Sequence, residues 1–158
     1  MNKEIDRAVV SFNDFDLQKP LLDAINKLGF EYCTPIQAQS LLHTLAGHDV
    51  TGRAQTGTGK TAAFLITIIN ALLSNPIEEQ RYIGEPRALI VAPTRELAIQ
   101  IGSDSQELNA CCDIYTVTLV GGEEYAKQDR LLEAKPVDIV VATPGRLLDF
   151  IQNNKIYL

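Results

Sequence analysis

Apolar residues along this chain recur with two periods. Leu17, Leu21, Leu22, Ile25 and Leu28 fall at helical spacing, and Gly29 follows as a stop. Thr34-Pro35 reads as an N-cap and a first-turn proline, opening a helix that ends before Gly47. Asp49 to Arg53 reads as a short strand, and from Lys60 the pattern is helical again. Phe64, Leu65, Ile68, Ile69, Leu72 and Leu73 give that helix a broad apolar face, which Ser74-Asn75-Pro76 closes. Residues 76 to 86 are polar, carry two prolines and read as a surface loop. Continuous apolar runs at Ala88 to Ala92, Ile114 to Val120 and Val137 to Ala142 predict buried parallel strands. Helices are expected from Thr94, from Glu123 to Ala134, and from Pro144 to Ile151. Strands alternating with helices predict an α/β fold, a parallel β-sheet flanked by helices.

Composition adds bounds. The 158 residues suit one compact domain, with 46% hydrophobic and 22% charged residues. The N-terminus MNKEIDRAVV has no apolar signal core. The longest near-apolar run, Ala62 to Leu73, includes Thr67 and Asn70 and is too short to span a bilayer, so a soluble, cytoplasmic protein is expected. Cys33, Cys111 and Cys112 fit neither a zinc site nor a disulfide framework and read as reduced thiols. A net charge of −6 argues against a simple basic-patch nucleic-acid binder. Any nucleic-acid contact must then come from local cations, backbone amides and helix N-termini.

The sharpest chemical signal is AQTGTGKT, Ala54 to Thr61. It matches the phosphate-loop pattern G-x-x-x-x-G-K-[ST] except that alanine replaces the first glycine. Gly57 and Gly59 let the backbone turn close to an anion, and the loop amides and helix N-terminus point at it. Lys60 reaches the outer phosphates, and the Thr61 hydroxyl supplies a ligand to Mg²⁺. By itself this loop specifies only a nucleoside triphosphate. His43 and His48 have no catalytic pattern around them, and Glu123-Glu124 reads as a helix N-terminus favourably placed for negative charge.

GFEYCTPIQ, AQTGTGKT, PTRELA, the pair Gly121-Gly122 and TPGR occur in this order. Together they resemble the first RecA-like domain of the DEAD-box RNA helicases, from about Phe12 onward, with residues 1–11 as an N-terminal tail. CTPIQA, TLAGHDV and GGEEYAKQ are most similar to the RhlB-type branch of that family. The family has proline where Cys33 stands.

The resemblance implies ATP as the nucleotide. It makes Gln37 the reader of the adenine edge, since an amide both donates and accepts. It makes Phe12, 17 residues before Gly29, the stacking aromatic, with Phe15 as a nearby competitor. Tyr32, Ala54, Gln55, Thr56, Gly57, Thr58, Gly59, Lys60 and Thr61 complete the implied nucleotide set, with Lys60 and Thr61 catalytic and Thr61 on Mg²⁺ through ATP. It places Pro93, Thr94, Arg95, Gly121, Gly122, Thr143, Pro144, Gly145 and Arg146 on the phosphates of single-stranded RNA, without sequence preference.

In that family an Asp-Glu-Ala-Asp strand follows within about ten residues of the last one here, and it positions the attacking water. The resemblance therefore implies a RecA-like P-loop NTPase domain truncated before that strand. These 158 residues are expected neither to hydrolyse ATP nor to unwind RNA, while the parent protein is expected to do both. It further implies a ribonuclease partner in RNA decay, docked through the second domain. The competing readings are a non-catalytic, nucleotide-regulated RNA-binding module and a phosphotransferase using the same loop.

Overall fold

The computed structural model describes residues 9–77 and 80–158. Residues 1–8 of the expected tail, and two positions of the loop over 76–86, lie outside the described residues.

Three parallel strands form the sheet: β1 (Ala88–Val91), β2 (Thr116–Leu119) and β3 (Ile139–Ala142), in the order β1-β3-β2. Ile139 lies level with Ala88 on one side and with Thr116 on the other. β3 is central and every residue of it is buried, which is why it reads as IVVA without alternation. The helices are α1 (Lys19–Lys27), α2 (Pro35–Thr44), α3 (Lys60–Ser74), α4 (Arg95–Leu108), α5 (Tyr125–Ala134) and α6 (Pro144–Gln152).

The central strand separates two apolar cores. Ile139 and Val141 face Ile90, Leu65, Ile69, Ile101 and Leu21, from α1, α3, α4 and β1. Val140 and Ala142 face Val117, Leu132, Leu147 and Phe150, from β2, α5 and α6. Tyr125 stacks on Phe150 across the second core, with ring centroids 4.3 Å apart.

Buried polar groups fix the register of these layers. Thr116 on β2 bonds Ser105 of α4 and Asn109, the C-cap of that helix, at 2.9 and 3.1 Å. At the N-terminal edge of the sheet Asp138 accepts from the Tyr115 N–H at 2.8 Å and pairs with Arg81 at 2.7 Å. Its carbonyl receives the N–H groups of Arg87 and Ala88. One aspartate thus ties together the starts of all three strands.

One expected strand is missing. Residues 48–55 form no ladder, and the side chains from His48 to Arg53 are exposed. A strand needs a neighbour to hydrogen-bond. Among the described residues none runs beside this segment, so DVTGR stays irregular and leads directly into the glycine loop. The periodicity also misses a short 3-10 turn, Phe12–Asp14, closed by a reciprocal cap between Ser11 and Asp14. The helix expected from Glu123 begins two residues later, with Glu124 as its N-cap.

Candidate functional site

The glycine loop lies between the irregular segment and α3. Gly57 and Gly59 have φ of +82° and +86°, the left-handed region in which a side chain is strained. Gly59 is also the N-cap of α3, and no side chain caps that helix. Its first-turn N–H groups therefore have no side-chain acceptor and face the loop, the arrangement that receives an anion. The Lys60 ammonium folds back onto the Ala54 carbonyl, and Thr58 Oγ1 donates to the Gln55 carbonyl at 2.7 Å. Lys60 and Thr61 are both half-buried. The loop is thus compact and its one cation is inside the concavity.

Helix α2 grips this loop from the side. Thr34 is its N-cap and forms a reciprocal box with Gln37: the Gln37 N–H donates to Thr34 Oγ1, and the Thr34 N–H to Gln37 Oε1 at 2.9 Å. Both side chains then reach across to the loop. Thr34 Oγ1 donates to the Thr58 carbonyl at 2.8 Å, and Gln37 Nε2 to the Gly59 carbonyl at 3.2 Å. A Cβ on Gly59 would lie 2.3 Å from Gln37 Nε2, so glycine is required there twice over. The sequence marks Thr34 only as a helix cap; its bond to Thr58 has no signal there.

Gln37 is 6% exposed and lines a cavity of about 830 Å³ that also includes the loop glycines, Lys60 and Thr61. An amide carries two donors and two acceptor lone pairs, and the Thr34 and Gly59 bonds use one of each. One donor and one lone pair remain unused among the described residues. The aromatic wall departs from expectation. Phe12 is 1% exposed and packed into the first core, so its ring has no free face for a base. Phe15 packs against the same core. Tyr32, on the same wall, is 55% exposed. Ser11 and Tyr32 form an antiparallel bridge, which brings the N-terminal segment to this rim.

The second group gathers at the C-terminal ends of the strands, where parallel sheets present loops and helix N-termini. Pro93, Thr94 and Arg95 follow β1, Gly121 and Gly122 follow β2, and Thr143 to Arg146 follow β3. Thr94 caps α4 by accepting from the Leu97 N–H at 3.3 Å. Thr143 makes no such side-chain cap, and its N–H is taken by the Leu119 carbonyl. Gln128 of α5 holds this end of β2 in place: it accepts from and donates to the backbone of Val120, immediately before the glycine pair. Nothing in the periodicity singles Gln128 out.

The arginines are not free in solvent. Arg95 lies over Gly122 (φ +78°), where an added Cβ would fall 2.2 Å from Nη1, and pairs with Glu123 at 3.8 Å. The Arg146 side chain, expected to make charge-assisted bonds to RNA phosphate, is only 11% exposed. It stands over the Tyr125 ring and donates from Nη2 to the Glu123 carbonyl at 3.2 Å. Its Nε and Nη1 have no hydrogen-bond partner among the described residues.

The loop, the α2 clamp and the strand-end loops share one chain with a matching family model. Residues 34–158 match the DEAD/DEAH box helicase model. The chain belongs to the DEAD/DEAH box helicase family. The sheet and loop above are thus a RecA-like helicase fold. Among curated proteins, the ATP-dependent RNA helicase RhlB of Pseudomonas aeruginosa is 58% identical over 147 residues, covering 93% of this chain and 37% of that protein. RhlB of Pseudomonas putida is 56% identical over the same length, and RhlB of Serratia proteamaculans 51%. The chain spans about a third of the length of these helicase relatives, 37% of the first and 34% of the Serratia protein. No described helix is long and apolar enough to cross a membrane.

Proposed function

We propose that residues 12–158 are part of the first RecA-like domain of an ATP-dependent RNA helicase. The observation that carries this reading is the α2 clamp, in which the Thr34 hydroxyl and the Gln37 amide each donate one hydrogen bond to the glycine loop. Adenine recognition and phosphate grip would then be one mechanical unit. Gln37 would use its remaining donor and lone pair on the adenine edge. The base would stack on Tyr32, with Phe12 supporting the wall from behind.

The triphosphate fits the loop: the uncapped start of α3 offers amides, and Lys60 leaves the Ala54 carbonyl to meet phosphate oxygen. The Thr61 hydroxyl would hold Mg²⁺ jointly with the nucleotide; the metal supplies charge neutralisation there. The loop itself, Ala54 to Thr61, includes no carboxylate to position an attacking water, although Asp104 and Glu107 line the same cavity; these 158 residues alone are proposed to bind ATP without turning it over.

RNA would lie across the strand ends. Thr94 and Thr143 each precede a helix N-terminus, and Arg95 stands over Gly122. Such contacts read phosphate, so the same surface takes any sequence and is compatible with a net charge of −6. In the whole cytoplasmic protein, ATP-driven closure would separate short duplexes during RNA turnover, with a ribonuclease as partner.

Competition for a fluorescent ATP analogue tests the reading. ATP is expected to displace the probe and GTP not to. Equal competition by both would leave a generic nucleotide loop, and a chain that binds ATP and RNA but stays inert in the full-length protein would be a regulated binding module.

A further inference from the structure

We propose that Glu123 is an internal stand-in for an RNA phosphate: it occupies the strand-end arginines in the free protein and lowers RNA affinity until nucleic acid displaces it. The inference rests on the reading of the strand ends as an RNA surface.

Glu123 engages both arginines at once. Its carboxylate meets Arg95, and its carbonyl accepts from Arg146. The carboxylate contact is loose. At 3.8 Å it is an ion pair without a hydrogen bond, and both side chains are about 40% exposed, at 44% and 39%. Arg146, by contrast, is nearly buried and carries two unpartnered nitrogens. Its nearest carboxylate, Asp149, stands 3.6 Å from Nε, too far for a good hydrogen bond. Guanidinium groups have five N–H donors, and buried ones left unpaired are unfavourable. The surface therefore has unmet donor capacity that its own acids do not fill. Of the two arginines Arg95, 44% exposed over Gly122, is the one a phosphate oxygen can approach to charge-assisted distance.

The neighbouring charges explain why this one glutamate matters. Glu124 turns to Arg130 at 4.0 Å, and Asp149 serves Arg146. Among these, Glu123 alone reaches Arg95, and it is the residue next to the glycine pair that RNA would cross. Its carboxylate both holds the arginine and repels an incoming phosphate. Because the pair is exposed, the restraint is weak and easily displaced, so it tunes affinity without blocking the site.

The test uses the full-length protein, a fluorescein-labelled oligouridine and a saturating non-hydrolysable ATP analogue. Glu123→Gln keeps the carbonyl that holds Arg146 and removes the charge. It is expected to bind about two- to fivefold tighter at low salt, with the gain shrinking as salt screens the pair. Glu123→Asp keeps the charge and is expected to bind like the parent. Arg95→Ala is expected to weaken binding, and adding Glu123→Gln to it is expected to gain less than Glu123→Gln gains in the parent. If Arg95→Ala weakens binding but Glu123→Gln does not tighten it, the stand-in is overturned while the RNA surface stands. Glu123→Asp binding as tightly as Glu123→Gln would also overturn it. If Arg95→Ala leaves RNA binding unchanged, the RNA surface itself falls.

Discussion

Gly59 carries two constraints in one residue: a left-handed backbone and a contact with Gln37 that leaves no room for a methyl group. Forcing a side chain into that backbone costs about 1–2 kcal/mol before any clash. Gly59→Ala is therefore expected to lose ATP affinity by more than about tenfold while leaving the distant cores intact, which probe titration and near-UV circular dichroism would check. The thiols give a second residue-scale prediction. Burial pushes Cys33 and Cys112 up to about 11. A raised thiol pKa means little thiolate at neutral pH, on the order of 0.1% at pH 8. Alkylation of these two should be slow at pH 8 and rise about tenfold per pH unit toward pH 11, as peptide mass mapping would read. Fast labelling of either at pH 8 would contradict their burial.

At the scale of elements, α2 serves the loop as well as the core, to which it gives Leu41. Thr34 joins the helix cap to Thr58, so Thr34→Val removes both the cap and the cross-strut. A lost N-cap costs about 1 kcal/mol. The melting temperature should fall modestly, while ATP affinity should fall further, because the loop loses one of its two supports. Equal, proportionate losses would mean that the cap acts on stability alone. Helix α4 shows the opposite balance. Gly102 sits where the helix meets β2, and a Cβ there would fall 2.1 Å from Thr118 Oγ1. Glycine to alanine inside a helix is normally favourable by about 1 kcal/mol. Here the stiff, β-branched Thr118 cannot move aside easily, and overpacking costs about 1–3 kcal/mol. Gly102→Ala is thus expected to be neutral or destabilising in urea melts, and a clear stabilisation would show that α4 has room to shift.

For the whole molecule the decisive polar residue is Asp138. It meets Arg81, the Tyr115 N–H and, through its carbonyl, the start of β1. Removing one partner of a largely buried pair typically costs about 3–5 kcal/mol. Asp138→Ala should lower stability by an amount in that range, and a loss below about 1 kcal/mol in denaturant melts would show the knot to be dispensable.

Much of this architecture is legible in the chain. The apolar runs at 88–92 and 137–142, the Thr34-Pro35 cap and the glycine loop all rest on local chemistry: β-branched runs, a side-chain cap, and glycine at positive φ. Those interactions join residues within a few positions of one another, so sequence alone determined them, and with them the nucleotide class and the family. What only the tertiary structure decided joins distant positions. DVTGR has strand-like content but no neighbour beside it, so it forms no strand. Phe12 faces a core assembled from α1, α2, α3, α4, β1 and β3, so its ring is buried and Tyr32 and Phe30 are left as the open aromatics of that wall. Arg146 is enclosed by Tyr125 and Glu123, residues placed there by the packing of α5 against α6. Burial and long-range hydrogen bonding depend on which surfaces meet, and no local pattern encodes that meeting.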